Sequence, residues 1–368
     1  MKVLIEFIKK EFTLVIAGIA ALISCLFVPV TNYINYINTD TVGLLFCLMI
    51  AIAGFRESSL LSVVSCRMLG KGKAYTRKTG AVLIFIAFFS AMLFTNDVAL
   101  IAFVPITASL FRSRPGTMIY VISVQTVAAN LGGMLTPFGN PQNLFLYSHY
   151  NMTPWEFFSV TLPVTGISAL LILLLCFFIK NEPLGIENTQ AHITGKRSYL
   201  LMYTALFILC LLSVFGILDV IVVFASVCVV ALILDIHLFA GVDYGLLLTF
   251  AFFFIFVGNI QNIDGVRNFI TGFLQDHEML AAASISQVIS NVPAAIMLSG
   301  FTDNARALVL GVNIGSLGTI VASLASIISL RIYMETENAK PIKYLGVFTL
   351  VNVVLIAIIY PFTAAFVL

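Results

Sequence analysis

Runs of about twenty apolar residues follow one another from near the first residue to the last, and this constrains the fold more than any motif does. A bilayer core of about 30 Å takes roughly 20 such residues per helical span. Lipid cannot hydrogen-bond a backbone, so spans of this kind must be helices that pair their own N–H and C=O groups. The chain is 60% hydrophobic and 10% charged, with a mean hydropathy of +1.07, whereas soluble domains carry about a quarter charged residues. The expectation is an all-α polytopic membrane protein, one transmembrane domain over residues 1–368, with the lipid bilayer as its surroundings. The start, Lys9-Lys10 followed by an apolar run, reads as a first transmembrane helix rather than a cleaved signal.

Composition also excludes several function classes. Net charge is only +2 and the basic residues form short clusters between apolar runs, so no nucleic-acid partner is expected. Cys25, Cys47, Cys66, Cys176, Cys210 and Cys228 fall inside or beside apolar runs and read as small core residues. His149, His192, His237 and His277 lack metal-ligand spacing, so no metal or cofactor is expected beyond a coupling Na⁺ or H⁺. HExxH, GxSxG and paired aspartates in facing spans are missing, which argues against an intramembrane hydrolase.

Candidate spans lie at about 12–30, 41–55, 117–147, 156–179, 198–217, 220–239, 244–258, 306–331 and 344–366. Two other runs are unusual. Residues 79–111 are 33 long, too many for one span and too few for two, and are interrupted at Thr95-Asn96-Asp97. Residues 279–301 are broken at Ser290-Asn291-Val292-Pro293. Lys and Arg favour cytoplasmic loops. The cluster Arg67, Lys71, Lys73, Arg77 and Lys78, and Lys2, Lys9 and Lys10 at the start, therefore predict a cytoplasmic N-terminus, with residues 58–69 as an interfacial helix. Basic residues on both sides of 79–111 put its two ends on one face. It is expected to be a re-entrant hairpin with arms of about 22–24 Å at about 1.5 Å per residue. A second hairpin at 279–301 leaves Arg331, Lys340 and Lys343 inside and the C-terminus outside.

The order of elements then repeats. Repeat one covers about 12–179 and repeat two about 220–368, with a linker helix at about 198–217 that inverts one against the other. This is about 5+1+5 elements with two re-entrant helical hairpins and two broken helices. Inverted repeats with helices broken at midplane are a recurrent plan of secondary transporters, and the breaks point to the binding site. Such breaks also occur in channels, which stay open as an alternative.

The residues at the breaks carry a family likeness. Phe94-Thr95-Asn96-Asp97-Val98-Ala99-Leu100, with Val104-Pro105 beyond, resembles the first hairpin motif of the ion transporter superfamily, in its citrate-transporter-like, arsenite permease and sodium/proton antiporter branch. Asn130 to Asn143, NLGGMLTPFGNPQN, resembles the broken helix that follows, and Ser290-Asn291-Val292-Pro293 the second hairpin. The resemblance runs from about residue 40 to near the end. It implies a dimerising scaffold, a mobile part carrying both hairpins and elevator-type alternating access. The distantly similar divalent anion/sodium symporters carry Ser-Asn-Thr at each tip. Thr95-Asn96-Asp97 and Ser290-Asn291-Val292 lose one hydroxyl at each tip and add one carboxylate at the first.

Hard oxygen ligands at Thr95, Asn96, Asp97, Ser290 and Asn291 are the candidates for cation binding or coupling. Asn130, Thr136, Pro137, Asn140, Asn143, Asn313, Gly315 and Ser316 are the candidates for the substrate cavity, where half-helix N-termini offer N–H groups to an anion. Plain interhelical packing is the competing explanation for Asn130 and Asn313, and close helix approach for Gly315. Asp97 is the one carboxylate placed deep in the membrane. It is either a coupling group that alternates between protonated and ionised forms or the N-cap of a half-helix beginning at Val98. Arg56, next to Glu57 at a span end, reads as an interfacial anchor rather than a substrate clamp. The expected function is secondary active transport of a small anion, a carboxylate or an oxyanion such as arsenite, coupled to H⁺ or Na⁺. A sodium/proton antiporter is the alternative. The expected location is the inner membrane.

Overall fold

The computed structural model describes residues 11–28, 33–58, 60, 63–64, 74–184, 197–337 and 339–368. Its first half holds α1 (Phe12–Ser24), α2 (Tyr33–Tyr36), α3 (Thr39–Glu57), α4 (Thr76–Leu93), α5 (Asn96–Leu110), α6 (Pro115–Gly133), α7 (Pro141–His149) and α8 (Pro154–Phe177). Next come α9 (Arg197–Val214), α10 (Val220–Leu234), α11 (Tyr244–Gln261), α12 (Asp264–Leu274), α13 (Glu278–Ile289), α14 (Asn291–Ser299), α15 (Ala305–Ile314), α16 (Leu324–Met334) and α17 (Pro341–Phe366). One two-residue pairing, β1 (Ala74–Tyr75) with β2 (Pro183–Leu184), ties the start of α4 to the end of α8. Among the described residues, every other regular element is helical. Most of the expected interfacial helix at 58–69 and of the basic cluster before α4 lies outside the described residues.

Local chemistry sets the helix starts. The Asn38 side chain accepts from Thr41 N–H at 2.9 Å before α3, and Asn304 accepts from Ala307 N–H at 3.1 Å before α15. At α8, Thr153 N–H donates to Glu156 at 2.7 Å and Glu156 N–H donates to the Thr153 hydroxyl at 3.3 Å, a reciprocal pair that satisfies two end donors. Among the described residues, five helices, α3, α4, α8, α11 and α17, are both long and apolar enough to cross a membrane. Their outer faces fit lipid: Leu170, Leu173, Leu174 and Phe177 on α8, and Leu350, Val353, Val354 and Ile358 on α17, are exposed.

Helix α6 is the axis of the first half. Every residue from Met118 to Gly133 except Tyr120 is buried, under α4, α5, α8, α16 and α17. A Cβ on Gly132 would lie 2.1 Å from the Phe88 carbonyl oxygen, so only glycine lets α4 come this close. Gln125 on α6 binds both partners of a helix pair. It donates to Leu83 O on α4 at 3.2 Å and accepts from the Thr107 hydroxyl on α5 at 2.8 Å.

Helices α4 and α5 pack on each other and meet at Thr95, and α13 and α14 do the same at Ser290. The first pair has arms of 18 and 15 residues, the second of 12 and 9. Each pair is followed by a helix that ends in an irregular polar segment: α6 before residues 134–140, and α15 before residues 315–319. Helix α12 has no counterpart among the spans read from the sequence. Its Val266, Phe269, Ile270, Phe273 and Leu274 fall at helical spacing, yet Phe269 and Phe273 are exposed, as an amphipathic helix at a lipid surface would leave them.

Candidate functional site

Two helix-pair tips share an uncommon backbone conformation. Thr95 sits at φ 121°, ψ 147° and Ser290 at φ 77°, ψ 155°, a region otherwise kept for glycine. Extended, left-handed residues here stop one helix and start the next within a single peptide. This sets the N-termini of α5 and α14 in the buried interior of the bundle. Asn96 and Asn291 are their first residues, both buried. Helix α5 begins at Asn96 with Thr95 as its N-cap, so Asp97 is not the cap of a helix starting at Val98. That corrects the capping alternative: Asp97 occupies the first turn, and no hydrogen bond or ion pair to its carboxylate occurs among the described residues.

The irregular segments carry carbonyls that no helix can pair, and amide side chains collect them. Asn143 Nδ2 donates toward the carbonyls of Gly133, Met134 and Thr136 at 3.2–3.3 Å. Gln287, from α13, donates to Gly315 O and Leu317 O at 2.8 Å each and accepts from Thr319 N–H at 2.8 Å. Asn352 on α17 accepts from Gly318 N–H at 3.1 Å. Gly318 lies at φ +110°, where a Cβ would also run into the Gln287 amide. An unpaired polar group costs several kcal/mol in a setting without water, so these amides are what allow the helices to break here.

The residues expected at the site converge on these breaks. Asn96 Nδ2 donates to Asn130 Oδ1 at 2.9 Å, and Asn96 N–H donates to Gly139 O at 3.2 Å. The Ser323 hydroxyl donates to Asn130 Oδ1 at 3.1 Å, while Asn130 Nδ2 reaches Ser326 Oγ at 3.3 Å. Asn140 Nδ2 donates to Asn313 Oδ1 at 3.2 Å, and Asn313 Nδ2 to Asn143 Oδ1 at 2.6 Å. Thr136 donates to Met92 O at 2.7 Å, which ties the first break to α4. Ser316 donates to Asn313 O at 2.6 Å, and Pro137 and Gly315 are buried in the two breaks. The second tip joins more loosely: Ser290 Oγ lies 3.4 Å from Ala322 O and 3.3 Å from Asn291 Oδ1.

Two cavities meet at Asp97. One of about 130 Å³ is lined by Thr95, Asp97, Asn140, Arg56 and Asp243 among apolar side chains of α3, α5 and α7. The other, of about 280 Å³, is lined by Asp97, Ser290, Asp243, Glu11, Thr249 and Arg331. The two helix-pair tips therefore border neighbouring cavities that share Asp97 and Asp243 in their walls. Arg56 lines the smaller one, where the sequence read it as an interfacial anchor. Asp243, Arg331 and Gln287 were not singled out as site residues. Asp243 precedes an apolar run as any N-cap would, and no linear signal shows that it shares a cavity with Asp97.

Broken helices whose backbone is paired by buried amides, inside a bundle with apolar outer faces, follow a recurrent plan of multi-pass membrane transporters. The chain belongs to the citrate transporter family, whose profile matches residues 3–306. It is similar to the "uncharacterized transporter MJ0456" of Methanocaldococcus jannaschii, at 35% identity over 81% of this chain and 82% of that protein. It is also similar to the "inner membrane protein YbiR" of Escherichia coli, at 29% identity over 80% of each chain.

Proposed function

We propose that this chain is a secondary active transporter of a small anion, a carboxylate or an oxyanion such as arsenite, coupled to H⁺ or Na⁺ through Asp97. The observation that carries this reading is the place of Asp97. It lies in the first turn of α5 and borders both cavities, beside Thr95 and Arg56 in one and beside Ser290 and Arg331 in the other. An ionisable group held at such a position is expensive and is a functional candidate for that reason. The N-terminal ends of α5 and α14 turn the positive ends of their helix dipoles toward an anion. Asn96, Asn130, Asn140 and Asn313 surround them with neutral hydrogen-bonding groups. The citrate transporter family membership supports an anionic substrate.

The two halves are read as inverted repeats, so that the helix pairs are re-entrant hairpins entering from opposite faces. The N-terminus is then cytoplasmic, the membrane is the inner one, and the hairpins move together against a scaffold that dimerises. Sodium/proton antiport is the second reading. It is favoured by the carboxylates Asp97, Asp243 and Glu11 around the larger cavity, which suit a cation better than an anion. Counterflow of labelled anion measured beside ²²Na⁺ flux in the same proteoliposomes separates the two.

Asp97→Asn tests the coupling role. The variant should insert and fold, yet support only exchange or binding and lose concentrative, pH-dependent uptake. Retention of concentrative uptake would remove Asp97 from the mechanism.

A further inference from the structure

Asp243 caps α11: its Oδ1 accepts from Leu246 N–H at 2.9 Å. Asn or Ser caps a helix about as well as Asp, so capping does not account for a negative charge at this position. The charge has a second neighbour. Asp243 borders both cavities that Asp97 borders, and the two carboxylates repel one another across them. The other charged groups facing Asp97 are Arg56 from α3, Arg331 from α16 and Glu11 at the start of α1. Two carboxylates sharing a confined space favour taking up one positive charge between them.

A separate observation points into the same cavity. Asn140 is 1% exposed and lines the smaller cavity, and its Oδ1 has no hydrogen-bond partner. A buried acceptor left open is costly, and what satisfies it must be a donor or a cation.

We infer that Asp243 is the second carboxylate of the coupling site, so that Asp97 and Asp243 together hold one monovalent cation. The inference rests on the reading of Asp97 as the coupling group. Its consequence is mechanical. Asp97 rides on α5 and Asp243 on α11, so the site is whole only while these helices face each other. Any movement of the first helix pair relative to α11 divides the site and releases the cation, which links occupancy to conformation without a separate latch.

The test uses the purified full chain and follows its thermal unfolding midpoint against pH in choline chloride, then against added NaCl. Stabilisation by acid in choline alone identifies H⁺; stabilisation that needs NaCl identifies Na⁺. Asp243→Asn and Asp243→Ser both keep a cap and lose the charge. Each should need about tenfold more H⁺ or Na⁺ for the same stabilisation, and Asp243→Glu should restore the wild-type response. Asp97→Asn should abolish it. If both Asp243 variants respond as wild type, or lose stability uniformly with the cation response unchanged, while Asp97→Asn does not respond, Asp243 is a cap only and the coupling role of Asp97 stands. If Asp97→Asn also responds as wild type, the coupling reading itself is overturned.

Discussion

Asn140 donates through Nδ2 to Oδ1 of Asn313 at 3.2 Å, so the break after α6 is bonded side chain to side chain to the break after α15. Asn313 passes the link on through its donation to Asn143 at 2.6 Å. Asn313→Ala would leave both Asn140 Nδ2 and Asn143 Oδ1 without these partners. At about 1–3 kcal/mol for each buried group left open, the variant should unfold at a clearly lower temperature in detergent. A midpoint equal to wild type would mean the two breaks are held together by packing alone.

The tips invite the opposite experiment. Thr95 and Ser290 hold backbone conformations that cost about 1–3 kcal/mol each for a residue with a Cβ. Glycine removes that cost and gives back about 0.4–1 kcal/mol through the freer unfolded chain. Thr95→Gly and Ser290→Gly should each raise the unfolding midpoint, while transport falls on the proposed role of both hydroxyls as cation ligands. Thr95→Ala, which keeps the Cβ, should not stabilise.

Close approach of α4 and α6 depends on one missing methyl group. Gly132→Ala would place a Cβ against the Phe88 carbonyl, and backbone cannot step aside as a flexible side chain can. Loss of about 2 kcal/mol or more is expected, read as poor yield and a low unfolding midpoint. Gly166→Ala on α8, where a Cβ meets nothing within 4 Å, is the control and should be neutral or mildly stabilising.

Orientation of the second helix pair can be read by labelling. A cysteine in place of Asn304, at the start of α15, should react with an impermeant thiol reagent from outside the cell, in a background without native cysteines. Labelling only from the cytoplasm would overturn the opposed entry of the two hairpins.

Much of the fold is legible because bilayer thickness fixes run length, and a polar triplet inside an apolar run, such as Thr95-Asn96-Asp97, is conspicuous. Helix α12 escaped notice because a search for spans passes over an 11-residue amphipathic helix, although Val266, Phe269, Ile270 and Phe273 show its spacing. The capping alternative for Asp97 needs α5 to start at Val98, two positions beyond its actual start. The positive φ that places the helix start at Asn96 belongs to Thr95, a residue type that gives no hint of it. Gln287 and Asn352 could not have been found: each serves a backbone about 30 residues away in sequence, and only the folded chain brings them together. The same holds for Asp243 beside Asp97.

The unequal arms of the two helix pairs bear on electrical behaviour. At about 1.5 Å per residue, arms of 18 and 15 residues reach about 22–27 Å, and arms of 12 and 9 residues about 13–18 Å. On the proposed opposed entry of the two pairs, their tips meet off centre, nearer the face from which the shorter pair enters. An ion crossing the whole membrane potential exchanges about 2.3 kcal/mol per charge at about 100 mV. The larger part of that work falls on the side of the longer arms, so binding and release there should carry most of the voltage dependence of the transport cycle.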